Sequence, residues 1–139
     1  MTYKRKAKEM KGLVENKLKE LGFKGKVKEI NGEVSFGWQV YNVKVGKQES
    51  VFVVYGGEDL GALKIGETLD RLFTEQGMDR KKVIDKPQQR AMIGLGLLIK
   101  KYEVKEMDLG ELRKYYGGDF LARSLKKKGV NKVYMIDVS

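Results

Sequence analysis

The residues with the clearest chemical potential are basic, and they lie in two groups near the ends of the chain. The first group is Lys4, Arg5 and Lys8. The second group consists of Arg113, Lys114, Arg123, Lys126, Lys127, Lys128 and Lys132. Because lysine and arginine side chains neutralise phosphate groups, these positions predict a surface that binds a polyanion. The expected partner is nucleic acid, most simply duplex DNA.

The chain contains few of the residue types that usually carry out catalysis. The chain has no Cys and no His, which excludes cysteine nucleophiles, thiolate zinc sites and any mechanism with an imidazole base. We therefore predict no catalytic residue, no metal ligand and no cofactor, and a protein that is not an enzyme.

The charge is unevenly distributed along the chain. The total is +10, with +6 in residues 1–30, −3 in residues 31–78 and +7 in residues 79–139. The alternative to nucleic-acid binding is a protein interaction or assembly domain, with a homodimer possible, whose lysines only solvate its surface. A charged fraction of 35% suggests a thermophile, and the composition suggests an archaeon. With no apolar run of membrane length, we expect a cytoplasmic protein without a membrane partner.

The periodicity in the first half predicts a helix followed by three strands. Apolar residues recur at helical spacing over 3–21, and alternation with a period of two begins near Lys26. Asn31-Gly32 and residues 46–48 are predicted turns. The apolar positions change parity after Val40, which indicates a β-bulge at 39–41 or a strand covered on both faces, and we favour the bulge.

The second half predicts mainly helices. An apolar helix spans 88–102, and its Gly94 and Gly96 indicate another element packed closely against it. Asp108 and Glu111 predict a capping box, Asp119 is a predicted cap of the next helix, and 133–138 is a final strand. The predicted fold class is α+β: an N-terminal helix on a three-stranded antiparallel sheet, then a mainly helical half ending in one strand. We expect one compact domain over 1–139, with sub-regions 1–57 and 58–139.

The order of elements from Gln88 onward resembles the winged helix-turn-helix of DNA-binding proteins. Residues 108–129 resemble its second and third helices, and 130–138 resembles the start of its wing. The resemblance implies that the helix over 119–128 lies in the major groove, with Arg123 near phosphates or base edges. Arg113 departs from the family, since a small residue usually lets the two helices cross there. Only one strand follows, which is too little for a complete wing.

The first half also resembles the nuclease core of archaeal junction resolvases. Residues 11–23, with Glu15, resemble the first helix of that core, and 40–45 resembles the strand that carries its acid-x-lysine pair. Here Asn42 stands in place of the acid and precedes Lys44, and Glu33 is the only acidic substitute on the predicted strands. The resemblance implies a third possibility, a degenerate nuclease-fold protein. It would be degenerate because the remaining carboxylates are too few to bind a divalent cation well.

Three aromatic residues near the predicted second strand allow two interpretations. Phe36, Trp38 and Tyr41 could form a base-stacking platform or belong to the core. Their alternation with smaller residues favours the core.

Overall fold

A computed structural model describes residues 2–139 and confirms the α+β fold class. The helices are α1 (Tyr3–Glu20), α2 (Gly61–Glu75), α3 (Pro87–Lys101), α4 (Leu109–Leu112) and α5 (Gly118–Lys127). The strands are β1 (Val27–Ser35), β2 (Trp38–Val45), β3 (Gln48–Tyr55), β4 (Lys105–Asp108) and β5 (Lys132–Asp137). A short 3-10 helix covers Arg80–Val83. No helix in the described part of the chain is long and apolar enough to cross a membrane.

The strands form one sheet in the order β1-β2-β3-β5-β4. The first three strands form the predicted antiparallel meander. The final strand β5 joins this meander by pairing in parallel with β3, and it pairs antiparallel with β4 on its other side. Strand β4 is an addition to the predicted strands, and β1 and β4 are the edges. The pairing of β3 with β5 brings residues before and after Gly57 into the same sheet.

Helices cover both faces of the sheet, and this explains the change of parity in β2. Tyr41 and Val43 lie in the core that contains α1, α2 and α3, whereas Trp38 and Val40 lie in the core that contains α4 and α5. The predicted bulge at 39–41 is wrong, because β2 pairs regularly with both neighbours along this stretch. The irregularity in this pair of strands lies between Val27 and Glu29 of β1.

The turn predicted at Asn31-Gly32 is also wrong, since both residues lie inside β1. A Cβ on Gly32 would lie 3.2 Å from the Tyr41 ring, so glycine leaves room for this aromatic side chain on the neighbouring strand. The chain turns instead at Phe36-Gly37, where both residues have positive φ, 53° and 83°. Positive φ at both positions of a two-residue hairpin loop is the pattern of a type I′ turn.

Other elements pack closely on α3 at its two glycines, as predicted: α1 at Gly96 and β2 at Gly94. A Cβ on Gly96 would lie 2.6 Å from Met10 Cβ, and a Cβ on Gly94 would lie 2.9 Å from the Tyr41 hydroxyl. Met10, Val14 and Leu18 of α1 are buried against this layer. This packing leaves the opposite face of α1 exposed to solvent.

The helices that resemble a winged helix-turn-helix occupy both sides of the sheet. The capping box of Asp108 and Glu111 is present, but the helix that it begins ends at Leu112 rather than near Tyr116. Helix α5 begins after Gly117, which places Asp119 in the first turn rather than at the predicted cap. The apolar side chains of α3 and of α5 belong to different cores. These helices therefore do not form one three-helix unit.

Candidate nucleic-acid interface

The two predicted basic groups lie on opposite sides of the sheet. Lys4, Arg5 and Lys8 are exposed on α1, which packs on one face, and Arg123 and its neighbours are exposed on α5, which packs on the other. The groups therefore do not converge on one face, and each has to be considered as a separate surface.

A groove runs between α1, the edge strand β1 and the first turn of α3. Its volume is about 650 Å³. Ala7, Val27, Ile30 and Met92 give it an apolar lining. Its basic residues are Lys4, Arg5, Lys8 and Lys11 of α1 together with Lys28 of β1, and we call these five residues the groove rim. On α1 these residues lie beside the buried stripe of Met10 and Val14, on the flank of the helix that borders the groove.

The five basic side chains of the groove rim form no ion pair within residues 2–139. None of its five side chains has a carboxylate within 4.0 Å. Among the described residues, Glu29 is the one acidic residue that lines the groove, and it lies 3.7 Å from Lys44, while Glu9 pairs with the buried Lys6 at 3.3 Å. Five like charges along one groove raise the local positive potential and attract polyanions.

Side chains from α1 and α3 bond the outer edge of β1 beside this groove. Val27 N donates to Glu15 Oε2 at 2.8 Å, and Ile30 N donates to Gln88 Oε1 at 3.3 Å. These bonds occupy amides that an edge strand otherwise leaves open to another chain. Gln89 also lines the groove, and its buried Oε1 has no hydrogen-bond partner in the described part of the chain. Such an atom is costly to leave unbonded and marks this wall as a place for a donor.

The basic surface of α5 is partly neutralised. Asp119 forms ion pairs with both Arg123, at 2.9 Å, and Arg113, at 3.6 Å. Lys128 lies 3.8 Å from Glu33 of β1. Lys114, Lys126 and Lys127 are exposed and have no carboxylate within 4.0 Å among residues 2–139. This surface therefore has less uncompensated charge than the seven positions of the second basic group suggested.

Lys132 does not belong to the α5 surface. It lies at the start of β5, two residues before Tyr134, and Tyr134 faces the α1 side of the sheet. Its Nζ lies 2.7 Å from Glu106 on β4, and a hydrogen bond to this carboxylate raises the pKa of Lys132. The side chain is thus engaged at the other sheet edge.

The residues that resemble a nuclease site are divided by the sheet. Glu15 is on α1 and bonds the backbone of β1, whereas Glu33 pairs with Lys128 on the α5 side. Asn42 and Lys44 have the same parity in β2 as Trp38, and therefore face the α5 side as well. Within residues 2–139, no three acidic side chains are grouped so that they could hold a metal ion.

The core interpretation of the aromatic residues is correct for Trp38 and Tyr41, which are both buried. Phe36 is exposed instead, and it stacks on Phe120 of α5 with ring centroids 5.8 Å apart. Leu60 and Tyr116 are exposed as well. The glycines that follow them in the chain contact the backbone of the Phe36-Gly37 turn, so these segments are neighbours. We call Phe36, Leu60, Tyr116 and Phe120 the apolar end.

Sequence reasoning missed two rim residues, Lys11 and Lys28. Lys11 could have been found, because positions 4, 5, 8 and 11 share one side of a helix. Lys28 could not, since its place beside α1 depends on how β1 packs. Comparisons of the chain with protein-family models, with curated proteins and with solved structures found no match.

Proposed function

We propose that this protein binds duplex nucleic acid without catalysing a reaction on it, and that the groove rim is its main contact surface. The observation that supports the proposal is the set of five basic side chains along one groove, none paired with a carboxylate within residues 2–139. Binding of phosphates to such residues releases condensed counterions, which is the main source of affinity for a polyanion.

The exposed face of α5 is the second contact surface in this proposal. Arg123, Lys126 and Lys127 lie on its outer side, while Leu121 and Leu125 anchor the helix to the sheet. A basic helix held in this way has the form that enters a major groove. Because Asp119 and Glu33 already compensate part of its charge, we expect it to contribute less affinity than the groove rim.

The test compares three variants with the same change in net charge. The first replaces Lys4, Arg5 and Lys8 by serine, and the second replaces Lys114, Lys126 and Lys127. The matched control replaces Lys47, Lys64 and Lys100, which are exposed and lie outside both surfaces. Fluorescence anisotropy with a labelled DNA duplex, at several salt concentrations, gives the affinity and its salt dependence.

We expect the groove-rim variant to lose the most affinity, the α5 variant to lose less and the control to lose least. Each lost phosphate contact lowers the slope of log affinity against log salt by about 0.9, so the groove-rim variant should have a slope lower by about 2 to 3. Equal losses in all three variants would mean that only net charge matters. No binding by the wild type at low salt would refute the function.

A second candidate function, assembly with another copy of this chain, is favoured by the apolar end. Phe36 and Leu60 have positive φ, 53° and 54°, and they are the only non-glycine residues with positive φ in the described chain. Such backbone costs about 1–2 kcal/mol for a side chain other than glycine. Apolar side chains held exposed at this cost fit a self-complementary contact of a homodimer.

Light scattering after size exclusion, over a range of concentrations, tests this candidate. Phe36→Asn removes the exposed ring and introduces the residue that a type I′ turn prefers, so the fold should be kept or stabilised. A dimer that dissociates in Phe36→Asn supports assembly. A wild type that stays monomeric at all concentrations refutes it.

A further inference from the structure

A separate cavity, open to solvent on one side, lies on the α1 side of the sheet between β1, β2, α2, the 3-10 helix and α3. Its volume is about 240 Å³. Since one water occupies about 30 Å³ of liquid, the space suits a small ion or molecule and excludes a duplex. The polar side chains that line it include Gln39, Tyr41, Arg80 and Arg90.

The two arginines differ in how they are held. Arg80 Nη1 donates to Asp70 Oδ1 and to Gly66 O, each at 2.9 Å, which fixes its guanidinium. Arg90 has no carboxylate within 4.0 Å in residues 2–139. Burial lowers the pKa of Arg90, and the charge of Arg80 lowers it further, whereas Tyr41 and Asp70 oppose the shift. One positive charge in this cavity therefore lacks compensation.

Tyr41 also lines this cavity. A Cβ on Gly94 would lie 2.9 Å from its hydroxyl oxygen, so the hydroxyl reaches α3 between Arg90 and the core. Burial raises the pKa of Tyr41, while the charges of Arg80 and Arg90 act against the rise. Both arginines line the same cavity as Tyr41. The hydroxyl stays protonated and can donate a hydrogen bond.

Two acidic residues at this cavity already form ion pairs. Glu33 contributes to its lining, but its carboxylate is directed to Lys128, 3.8 Å away. Asp70 is bound to Arg80. A partly buried guanidinium beside another cation is unfavourable unless an anion compensates it.

We propose that this cavity binds a phosphate group, with Arg90 as the principal ligand and with Arg80 and Tyr41 as further donors. Two guanidiniums and a hydroxyl supply several N–H and O–H donors, and arginine matches the oxygens of phosphate with two parallel bonds. The group is either free phosphate or the phosphate of a mononucleotide. The proposal does not depend on the proposed function, because the groove rim contributes no residue to this cavity.

Isothermal titration of the phosphate-free protein with inorganic phosphate tests the proposal, with ionic strength held constant by sodium chloride. We expect saturable binding by the wild type, at least tenfold weaker binding by Arg90→Gln, and weaker binding by Tyr41→Phe. Arg71→Gln is the matched control, since Arg71 is an exposed arginine of α2 outside the cavity. Adenosine monophosphate as a second titrant distinguishes the sources, because tighter binding than inorganic phosphate indicates a nucleotide.

Thermal unfolding separates binding from a structural role of Arg90. Without phosphate, Arg90→Gln removes an uncompensated charge and should leave the melting temperature unchanged or higher, whereas added phosphate should stabilise only the wild type and Arg71→Gln. No binding by the wild type overturns the proposal. Equal phosphate affinity in Arg90→Gln also overturns it, as does a variant that is destabilised without phosphate yet keeps the phosphate response.

Discussion

Replacing Gly96 by alanine should destabilise the protein, whereas the same replacement at Gly12 or Gly66 should stabilise it. All three glycines lie inside helices, in α3, α1 and α2 respectively. A Cβ on Gly12 or Gly66 meets nothing within 4 Å. A Cβ on Gly96 would lie 2.6 Å from Met10 Cβ and 2.9 Å from its Sδ. The three positions therefore share the helical backbone and differ in the space around it.

The magnitudes follow from two opposing effects. Alanine is about 1 kcal/mol better than glycine inside a helix, and this gain should appear in full at Gly12 and Gly66. At Gly96 the same gain is opposed by overpacking, which costs about 1–3 kcal/mol. Met10 Cβ adjoins the backbone of α1, so a rotamer change cannot move it away, and we expect the cost to exceed the gain. At about 4 °C per kcal/mol, Gly96→Ala should melt about 4–12 °C below Gly12→Ala.

Urea and thermal unfolding followed by circular dichroism measure these differences. The urea slopes should agree among the variants, which shows that the same amount of surface is exposed on unfolding. If Gly96→Ala stabilises the protein as much as Gly12→Ala, α1 and α3 are not in close contact at this point, and the packing that places α1 beside the groove loses its support.

Three further predictions concern the core and the divided acidic residues. Val53→Asp should unfold the protein, because Val53 is fully buried in β3, and a folded variant by circular dichroism would contradict this. Gly94→Ala should cost more stability in the wild type than in a Tyr41→Phe background, since the hydroxyl is the atom it would meet at 2.9 Å, and a double-mutant cycle that shows additivity would contradict this. No cleavage of linear, supercoiled or branched DNA should occur with magnesium or manganese, because Glu15 and Glu33 lie on opposite sides of the sheet, and nicking that Glu33→Gln abolishes would contradict this.

Much of the fold could be predicted because the periodicity of apolar residues in each segment indicates its secondary structure. The helical spacing of the apolar residues Met10, Val14 and Leu18 identified α1, and the alternation with a period of two from near Lys26 identified the strands that follow. The change of parity in β2 was visible as well. Its cause was misjudged, because burial of both faces of β2 depends on α5, which is far away in the sequence.

The first turn was misplaced because local preference and tertiary packing disagree there. Asn-Gly is the favoured pair for a tight hairpin turn, and Phe-Gly is not. The glycine at position 32 is instead required inside β1, where the Tyr41 ring passes over it, and the chain turns at Phe36-Gly37 despite the cost of positive φ. A residue that violates a local preference often marks a functional surface, and Phe36 is the exposed ring of the apolar end.

The most conspicuous basic run in the sequence is not where the structure leaves the most uncompensated charge. Lys126, Lys127 and Lys128 are consecutive, but Lys128 meets Glu33 and the nearby Arg123 meets Asp119. The groove rim is less obvious in the sequence, because its residues are interspersed with the buried side of α1 and include one residue of β1. Sequence shows how many charges a segment has, whereas neutralisation depends on carboxylates brought in from other elements. A phosphate backbone is attracted by the basic side chains that no carboxylate pairs with. The groove rim, rather than the lysine run, is therefore the first surface to test.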